Sequence, residues 1–412
     1  MNHVIVVGGG ASGLAAAVSA AENGASVTVL ERLPRVGKKI LLTGNGRCNL
    51  SHQTLPAEHY HGSMQQADTI LRRFDAAAYF ERFGLFTRTD HEGRMYPASG
   101  MAASVLDALR FAACQHGVEI LCGKHVTGLR QKQRKWIVFC GEESFCADAV
   151  ILAAGGAAAP NCGTDGSLFP LLRNMGYQVQ QPKPVLCPIP TDPARVRPMK
   201  GMRVRAAASA YLGERCCKTE IGEVQFTDNA LSGICIFNLA RFAAGDRKKL
   251  RIVLNLMPDH DAQEAESILY QLRKQRKELP AGDMLTGLLP KRVAETLMKC
   301  VGIRIAEPAA AISQDQLRQL FSMLLAWSFP VTGQASFQQA QVTAGGVSGQ
   351  NIGQNLESKL HKGLFFCGEL TDLDGDCGGY NLAWAWASGA CAGKQAAACS
   401  SKESPARKQC CK

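Results

Sequence analysis

Apolar positions concentrate first in the β-branched run Val4-Ile5-Val6-Val7 and return in Val27-Thr28-Val29-Leu30, with an alanine-rich stretch over residues 14–22 between them. Run, helical texture, run predicts a strand, a helix and a second strand. Gly8-Gly9-Gly10-Ala11-Ser12-Gly13 joins the first strand to the helix, and Glu31-Arg32 closes the second strand. In that context Gly8 makes the turn, Gly10 lets backbone approach a pyrophosphate, Gly13 lets the helix pack on the strand, and Glu31 accepts ribose hydroxyls. Ala11 and Ser12 open the helix, whose first N–H groups and partial positive charge face the phosphates. This is a candidate dinucleotide site.

The next stretch, residues 37–49, carries Gly37, Gly44 and Gly46 with Lys38, Lys39 and Arg47, and Cys48 beside them. Glycines and cations at this density predict a loop that wraps a phosphate or a flavin edge. Helical spacing covers residues 65–83 and 101–116, and the polar loop 93–100 between them holds one exposed aromatic, Tyr96. Short runs at 118–121, 126–129 (opening on Val126), 136–140 and 144–146 predict a small antiparallel meander. A buried strand then runs from Ala149 into Gly155-Gly156, a second close approach of backbone to the dinucleotide.

Prolines at 182, 184, 188, 190, 193 and 198 mark a domain edge. Strand-like runs follow at 203–212, 223–227 and 250–256. Helices are predicted over 261–278 and 291–300, and a third, running to residue 327, starts at the Ser313/Gln316 capping box. Strand texture over 329–343 leads into Thr343-Ala344-Gly345-Gly346-Val347. A buried strand, 364–367, ends in Gly368-Glu369, and the turn Cys377-Gly378-Gly379-Tyr380-Asn381-Leu382 opens a long helix over 383–398.

Composition narrows the function classes. A chain of 412 residues exceeds what one core fills. No apolar run is long enough to cross a bilayer, and a strand directly after Met1 leaves no room for a signal peptide, so a cytoplasmic location is expected. The 17 cysteines are scattered and lack a C-x-x-C pair, and with the nine histidines they offer no zinc spacing. Most are expected to be small core residues, with no metal bound. The net charge of +11 is dispersed, densest at Arg195, Arg197, Lys200, Arg203 and Arg205, then at Arg247, Lys248, Lys249 and Arg251, then in the tail. Aromatic residues do not interleave with these groups, so a solvated face or attraction for an anionic cofactor is expected, with no nucleic-acid or membrane partner.

Dinucleotide-site character at both ends of the chain points to FAD. The N-terminal fingerprint holds the ADP half, Gly368 and Glu369 lie near the ribityl chain, and the Gly378-Gly379 turn starts a helix beside the isoalloxazine. The set Gly8-x-Gly10-x-x-Gly13, Thr43-Gly44-Asn45-Gly46-Arg47-Cys48-Asn49, Ala344-Gly345-Gly346-Val347 and Gly379-Tyr380-Asn381-Leu382-Ala383-Trp384-Ala385 resembles the BaiN/RdsA-type NAD(P)/FAD-dependent oxidoreductases of the glutathione-reductase-like flavoprotein superfamily. Two positions depart from that pattern: Asn45 stands where the family usually has glycine, and Ile234 replaces the proline of Leu-Ser-Gly-Pro.

The resemblance implies an α/β fold with a Rossmann-like FAD-binding domain built from both chain ends (1–185 and 340–400), an inserted β-rich, barrel-like domain (186–257 and 328–339), a helical cap (258–327) and a disordered tail (401–412). It places Gly8, Gly10, Ala11, Ser12, Gly13, Glu31, Arg32, Lys38, Lys39, Gly44, Arg47, Cys48, Val126, Gly155, Gly156, Gly368, Glu369, Gly379, Tyr380, Asn381 and Leu382 at the cofactor. It further implies reduction of carbon–carbon double bonds in 3-oxo steroid or bile acid intermediates, with NADH or NADPH as transient co-substrate. Relatives that oxidise amines such as aminoacetone supply an alternative, and a tRNA-modifying flavoprotein another. Tyr380 and Tyr96 are the candidate proton donors, because a phenol can polarise a carbonyl or deliver a proton. A thiol–disulfide reductase would need a cysteine pair that the sequence lacks.

Overall fold

A computed structural model describes residues 2–243 and 249–399; the tail and the basic residues Arg247 and Lys248 lie outside them. The chain divides into two compact units, one running over Met1–Lys183 and resuming at Val342, the other being Pro184–Gln341.

The first unit is built on a five-stranded parallel sheet in the order Leu364–Phe366, Ala149–Leu152, His3–Val7, Ser26–Glu31, Glu119–Cys122. The N-terminal strand is central, with strands from later in the chain on one side and its own βαβ partner on the other. Val4, Ile5 and Val6 are fully buried, as expected for a strand covered on both faces, and each such side chain contributes roughly 1.5–3 kcal/mol. The helix Ala11–Glu22 packs against the last helix, Tyr380–Ala398. Small residues make that contact possible. A Cβ on Gly389 would strike the carbonyl of Ser12, and one on Gly393 that of Ala16. The two ends of the chain thus share one layer over the sheet.

Several expected elements change. The helical stretch 65–83 is two short helices, Ala67–Arg72 and Ala76–Glu81, because Asp75 turns extended and its side chain caps the second by accepting from Ala78 N–H. The run at 118–121 leaves the meander and becomes the strand Glu119–Cys122, paired in parallel with residues 28–31. Alternation had marked a strand without marking its partner. The meander keeps Gly128–Lys132, Lys135–Cys140 and Glu143–Ala147. The last helix begins at Tyr380, three residues early.

The second unit holds a six-stranded antiparallel sheet in the order Ile189–Pro190, Ala230–Ser232, Arg215–Phe226, Arg203–Leu212, Leu250–Asn255, Trp327–Pro330. Its two outer strands meet just past their ends, where Thr191 bridges to Val331. Along Arg203–Leu212 the buried positions Val204, Ala206, Ala208 and Ala210 alternate with outward-facing residues. The helices Ala262–Gln275, Lys291–Cys300 and Gln314–Leu325 belong to the same unit, the last packing on Leu250–Asn255 and Trp327–Pro330. Ser313 and Gln316 form the expected reciprocal cap. That helix stops at Leu325, and Trp327 starts a strand. Of the expected strand 329–343, only the ends pair, in Trp327–Pro330 and Val342–Val347.

The cysteines depart from expectation too. Of fifteen in the described residues, only Cys48, Cys162, Cys187, Cys235 and Cys367 are buried, while Cys114, Cys122, Cys146, Cys216 and Cys300 are exposed.

Candidate active site

The fingerprint glycines answer to different neighbours. Gly8 has φ +102°, and a Cβ there would sit 2.6 Å from the Ala153 carbonyl oxygen; a Cβ on Gly13 would run into the Gly8 carbonyl. Gly10 is the exception, because a Cβ built on it meets no protein atom within 4 Å and its backbone is extended (φ −82°, ψ −164°). The space over Gly10 adjoins the N-terminus of Ala11–Glu22, which no side chain caps. An open face beside uncapped N–H groups fits a pyrophosphate. Glu31, 8% exposed, accepts Gly9 N–H through Oε2 at 2.7 Å and Leu33 N–H through Oε1 at 2.8 Å. Each oxygen keeps a second lone pair for a ribose hydroxyl.

Arg32 pairs with Asp165 at 2.7 Å. Partial burial alone would raise the Asp165 carboxyl, but hydrogen bonds from Arg32 and Ser167 hold it down at about 2. Lys38 reaches the carbonyl of Asn161, and Lys39 donates to Glu369 Oε2 at 2.7 Å and to the Ala158 carbonyl at 3.3 Å. Glu369 Oε1 in turn accepts Thr343 N–H at 3.0 Å, and the buried Thr343 hydroxyl accepts the N–H groups of Ala157 and Ala158, each at 2.8 Å. This network gathers Lys39, the Gly155-Gly156 turn, Thr343 and Glu369 in one place. Gly368, with φ +65°, abuts Ser12 at the head of the first helix and donates its N–H to Ser388 Oγ at 2.9 Å.

The loop after Lys39 reverses through Gly44 (φ +55°, ψ +36°) and Asn45 (φ +54°, ψ +44°). Asparagine tolerates that left-handed conformation better than other side chains, which explains Asn45 in a position suited to glycine. Ile234 is the first residue of the helix Ile234–Ala243, a position where proline is accepted but not required. Arg47 stacks over the Tyr96 ring at 4.6 Å, and Tyr96 is buried, not exposed as its polar loop suggested. Burial pushes the Cys48 thiol up to about 11, only partly opposed by its hydrogen bond with Thr43, so Cys48 is no nucleophile at neutral pH. Val126 is a core residue at 5% exposure.

Gly379, with φ +101°, heads the helix Tyr380–Ala398, again with no side-chain cap. Beside it lies Asn49, whose buried Oδ1 has no hydrogen-bond partner, an acceptor awaiting a donor. The Asn381 side chain is committed to the preceding loop, bonding both N–H and carbonyl of Gly375 at 2.8 Å. Leu382 packs against the Trp386 cluster. The Tyr380 ring is sandwiched between His59 (centroids 4.5 Å, 20°) and His52 (5.1 Å, 23°), with Tyr60 edge-on. Burial, then the carboxylates of Asp376 and Glu58, push its hydroxyl up to about 12.

Under this ring sits a group that sequence reasoning passed over. Asp376, 2% exposed, receives His59 Nδ1 at 3.1 Å and His61 Nε2 at 3.0 Å. Tyr60–Gly62 pairs antiparallel with Leu373–Gly375. The signal was partly present: His59 and His61 stand two apart, the first closing the 3-10 turn Ala57–His59 and the second inside the strand Tyr60–Gly62, and Asp374-x-Asp376 precedes the Gly-Gly turn. No group of three or more His, Cys, Asp or Glu that could hold a metal ion is found among the described residues.

A parallel sheet, a glycine turn with an open phosphate cradle and two uncapped helix N-termini drawn from opposite chain ends make a Rossmann-type fold whose residues fit a dinucleotide such as FAD. The chain belongs to the family described as HI0933-like protein Rossmann domain, which matches residues 2–395. It is 35% identical to the 3-dehydro-bile acid delta(4,6)-reductase of Clostridium scindens, over 96% of this chain and 99% of that one. It is 26% identical to the ribosomal RNA dihydrouridine synthase of Haemophilus influenzae, covering 94% of this chain and 97% of that one. Among solved structures, the 3-ketosteroid delta1-dehydrogenase of Sterolibacterium denitrificans shares the fold, with a TM-score of 0.51 and 12% identity over 97% of this chain and 100% of that one. No helix among the described residues is long and apolar enough to cross a membrane.

Proposed function

We propose that this protein is a cytoplasmic NAD(P)H-dependent flavoenzyme that reduces a carbon–carbon double bond conjugated to a carbonyl, in a 3-oxo steroid or bile acid intermediate. The observation that carries the reading is the 35% identity to a bile acid reductase across nearly the whole of both chains. When bound, FAD supplies a two-electron carrier between a nicotinamide and the substrate. The chain's own residues do the holding. Gly10 and the N-terminus of the first helix take the pyrophosphate, Glu31 the ribose, and Lys39 with Glu369 and the Gly155-Gly156 turn line the path toward the Gly379 helix. That helix's N-terminus favours negative charge at the ring end, which eases reduction.

A second reading keeps the chemistry and changes the substrate. Dihydrouridine is uridine with its carbonyl-conjugated double bond reduced, and relatives from Haemophilus influenzae and Escherichia coli are named for making it in ribosomal RNA, at 26% and 25% identity. An RNA partner would need free cations for phosphate contacts. In the densest basic group Lys200, Arg203 and Arg205 are already paired with Asp228, Glu223 and Asp259, which favours the small-molecule substrate.

Purified protein incubated with a 3-oxo-Δ4 bile acid and NADH or NADPH is expected to yield the saturated 3-oxo product. Conversion of uridine in ribosomal RNA, with the enone untouched, would transfer the function to the second reading.

A further inference from the structure

Reducing an enone requires two electrons and two hydrogens. Hydride addition at the β-carbon leaves negative charge on the enolate, and one proton must still reach the α-carbon. The donor must hold a proton at the working pH, and general acids work best with a pKa close to that pH. Tyr380, held at about 12, is poorly matched. Imidazole, with an ordinary pKa of about 6.5, is well matched.

We infer that His59 and His61, held on the buried carboxylate of Asp376, form the proton source for the double-bond reduction. The inference rests on the reductase reading above. The geometry carries it: one carboxylate with a side-chain exposure of 3% receives both rings, at 3.1 and 3.0 Å, while the imidazoles are 35% and 29% exposed. A carboxylate only accepts, so His59 donates through Nδ1 and His61 through Nε2, which fixes both tautomers. Nε2 of His59 and Nδ1 of His61 are then the sites where the exchangeable proton is carried. The arrangement repeats the base-and-orienting-carboxylate logic of general acid–base sites. The cluster stands at the head of the Tyr380 helix, with the Tyr380 ring stacked on His59.

In the step itself the imidazolium N–H bond breaks and the α-carbon C–H bond forms. The enolate pair makes that new bond, the ring keeps the N–H electron pair and becomes neutral, and solvent reprotonates it. His59 and His61 are the catalytic residues, and Asp376 is a positioning residue. The groups facing them are Asp374, in register with His61, Glu58, His52 and the hydroxyls of Tyr60 and Tyr380.

The test separates the half-reactions of the flavin-loaded protein in stopped flow, for wild type, the double variant H59Q/H61Q and D376N. Bleaching by NADH or NADPH needs no protein proton and is expected unchanged. Reoxidation by a 3-oxo-Δ4 bile acid is expected to slow about 100-fold in H59Q/H61Q. D376N, which removes the acceptor that orients both rings, is expected to slow reoxidation as well and to leave bleaching unchanged. Nitrogen-15 histidine spectra of the flavin-free protein give a readout independent of turnover: in wild type the proton is expected on Nδ1 of His59 and Nε2 of His61, and D376N is expected to release both rings into a mixture of tautomers. Normal reoxidation in H59Q/H61Q, or reoxidation and ring tautomers in D376N that match wild type, overturns the proton source alone. A wild-type flavin that no nicotinamide bleaches, or that the enone leaves reduced, overturns the reductase reading and this inference with it.

Discussion

Gly10 and Gly13 lie one helical turn apart, yet one faces space and the other faces backbone. Gly10→Ala is expected to leave the melting temperature of the flavin-free protein within about 2 °C of wild type, because the added methyl meets no protein atom, and to lower retention of FAD on purification. Gly13→Ala is expected to destabilise the flavin-free protein by about 1–3 kcal/mol through collision with the Gly8 carbonyl. Thermal melts together with flavin content distinguish the two. Asp165 supplies a pH prediction. Its folded pKa of about 2 lies below the ordinary value of 3.8, so its contribution is present above about pH 4 and is lost as pH falls toward 2. In acid titrations Asp165→Asn should therefore flatten the stability curve between those limits and leave its shape unchanged above them.

At the scale of elements, the ion pair between Lys39 and Glu369 joins an early loop to the turn after the strand Leu364–Phe366. Lys39→Met leaves the Glu369 carboxylate, 19% exposed, with the Thr343 N–H and without its cation, and is expected to cost about 1–2 kcal/mol. Glu369→Gln in the same background should recover part of that loss in a double-mutant cycle. The βαβ unit and the capping box were legible because each is written in contiguous residues: a β-branched run, glycines at fixed offsets, Ser313 three before Gln316. Strand partnership was not legible. Residues 118–121 carry a strand pattern, but only the helix Ala102–Gln115 crossing over the sheet delivers them to parallel pairing with 28–31. Each half of the site around Asp376 was visible in the spacing, but nothing along the chain joined them, because Asp376 lies more than three hundred residues from His59 and His61.

For the whole molecule, both ends of the chain are needed to build one unit, and the small residues at the helix–helix contact set how closely those ends approach. Gly393→Leu would push the last helix off the Ala16 carbonyl, and it is expected to lower stability and FAD retention together, measurable by melting with and without added FAD. The central claim concerns electron flow from nicotinamide to a conjugated double bond. Its most direct test is to purify the protein with its flavin, add NADH or NADPH without oxygen, follow the visible flavin band, and then add a 3-oxo-Δ4 bile acid. The account predicts that the band bleaches with a nicotinamide and returns with the enone. A band that stays oxidised with both nicotinamides, or that bleaches with aminoacetone alone, would contradict it.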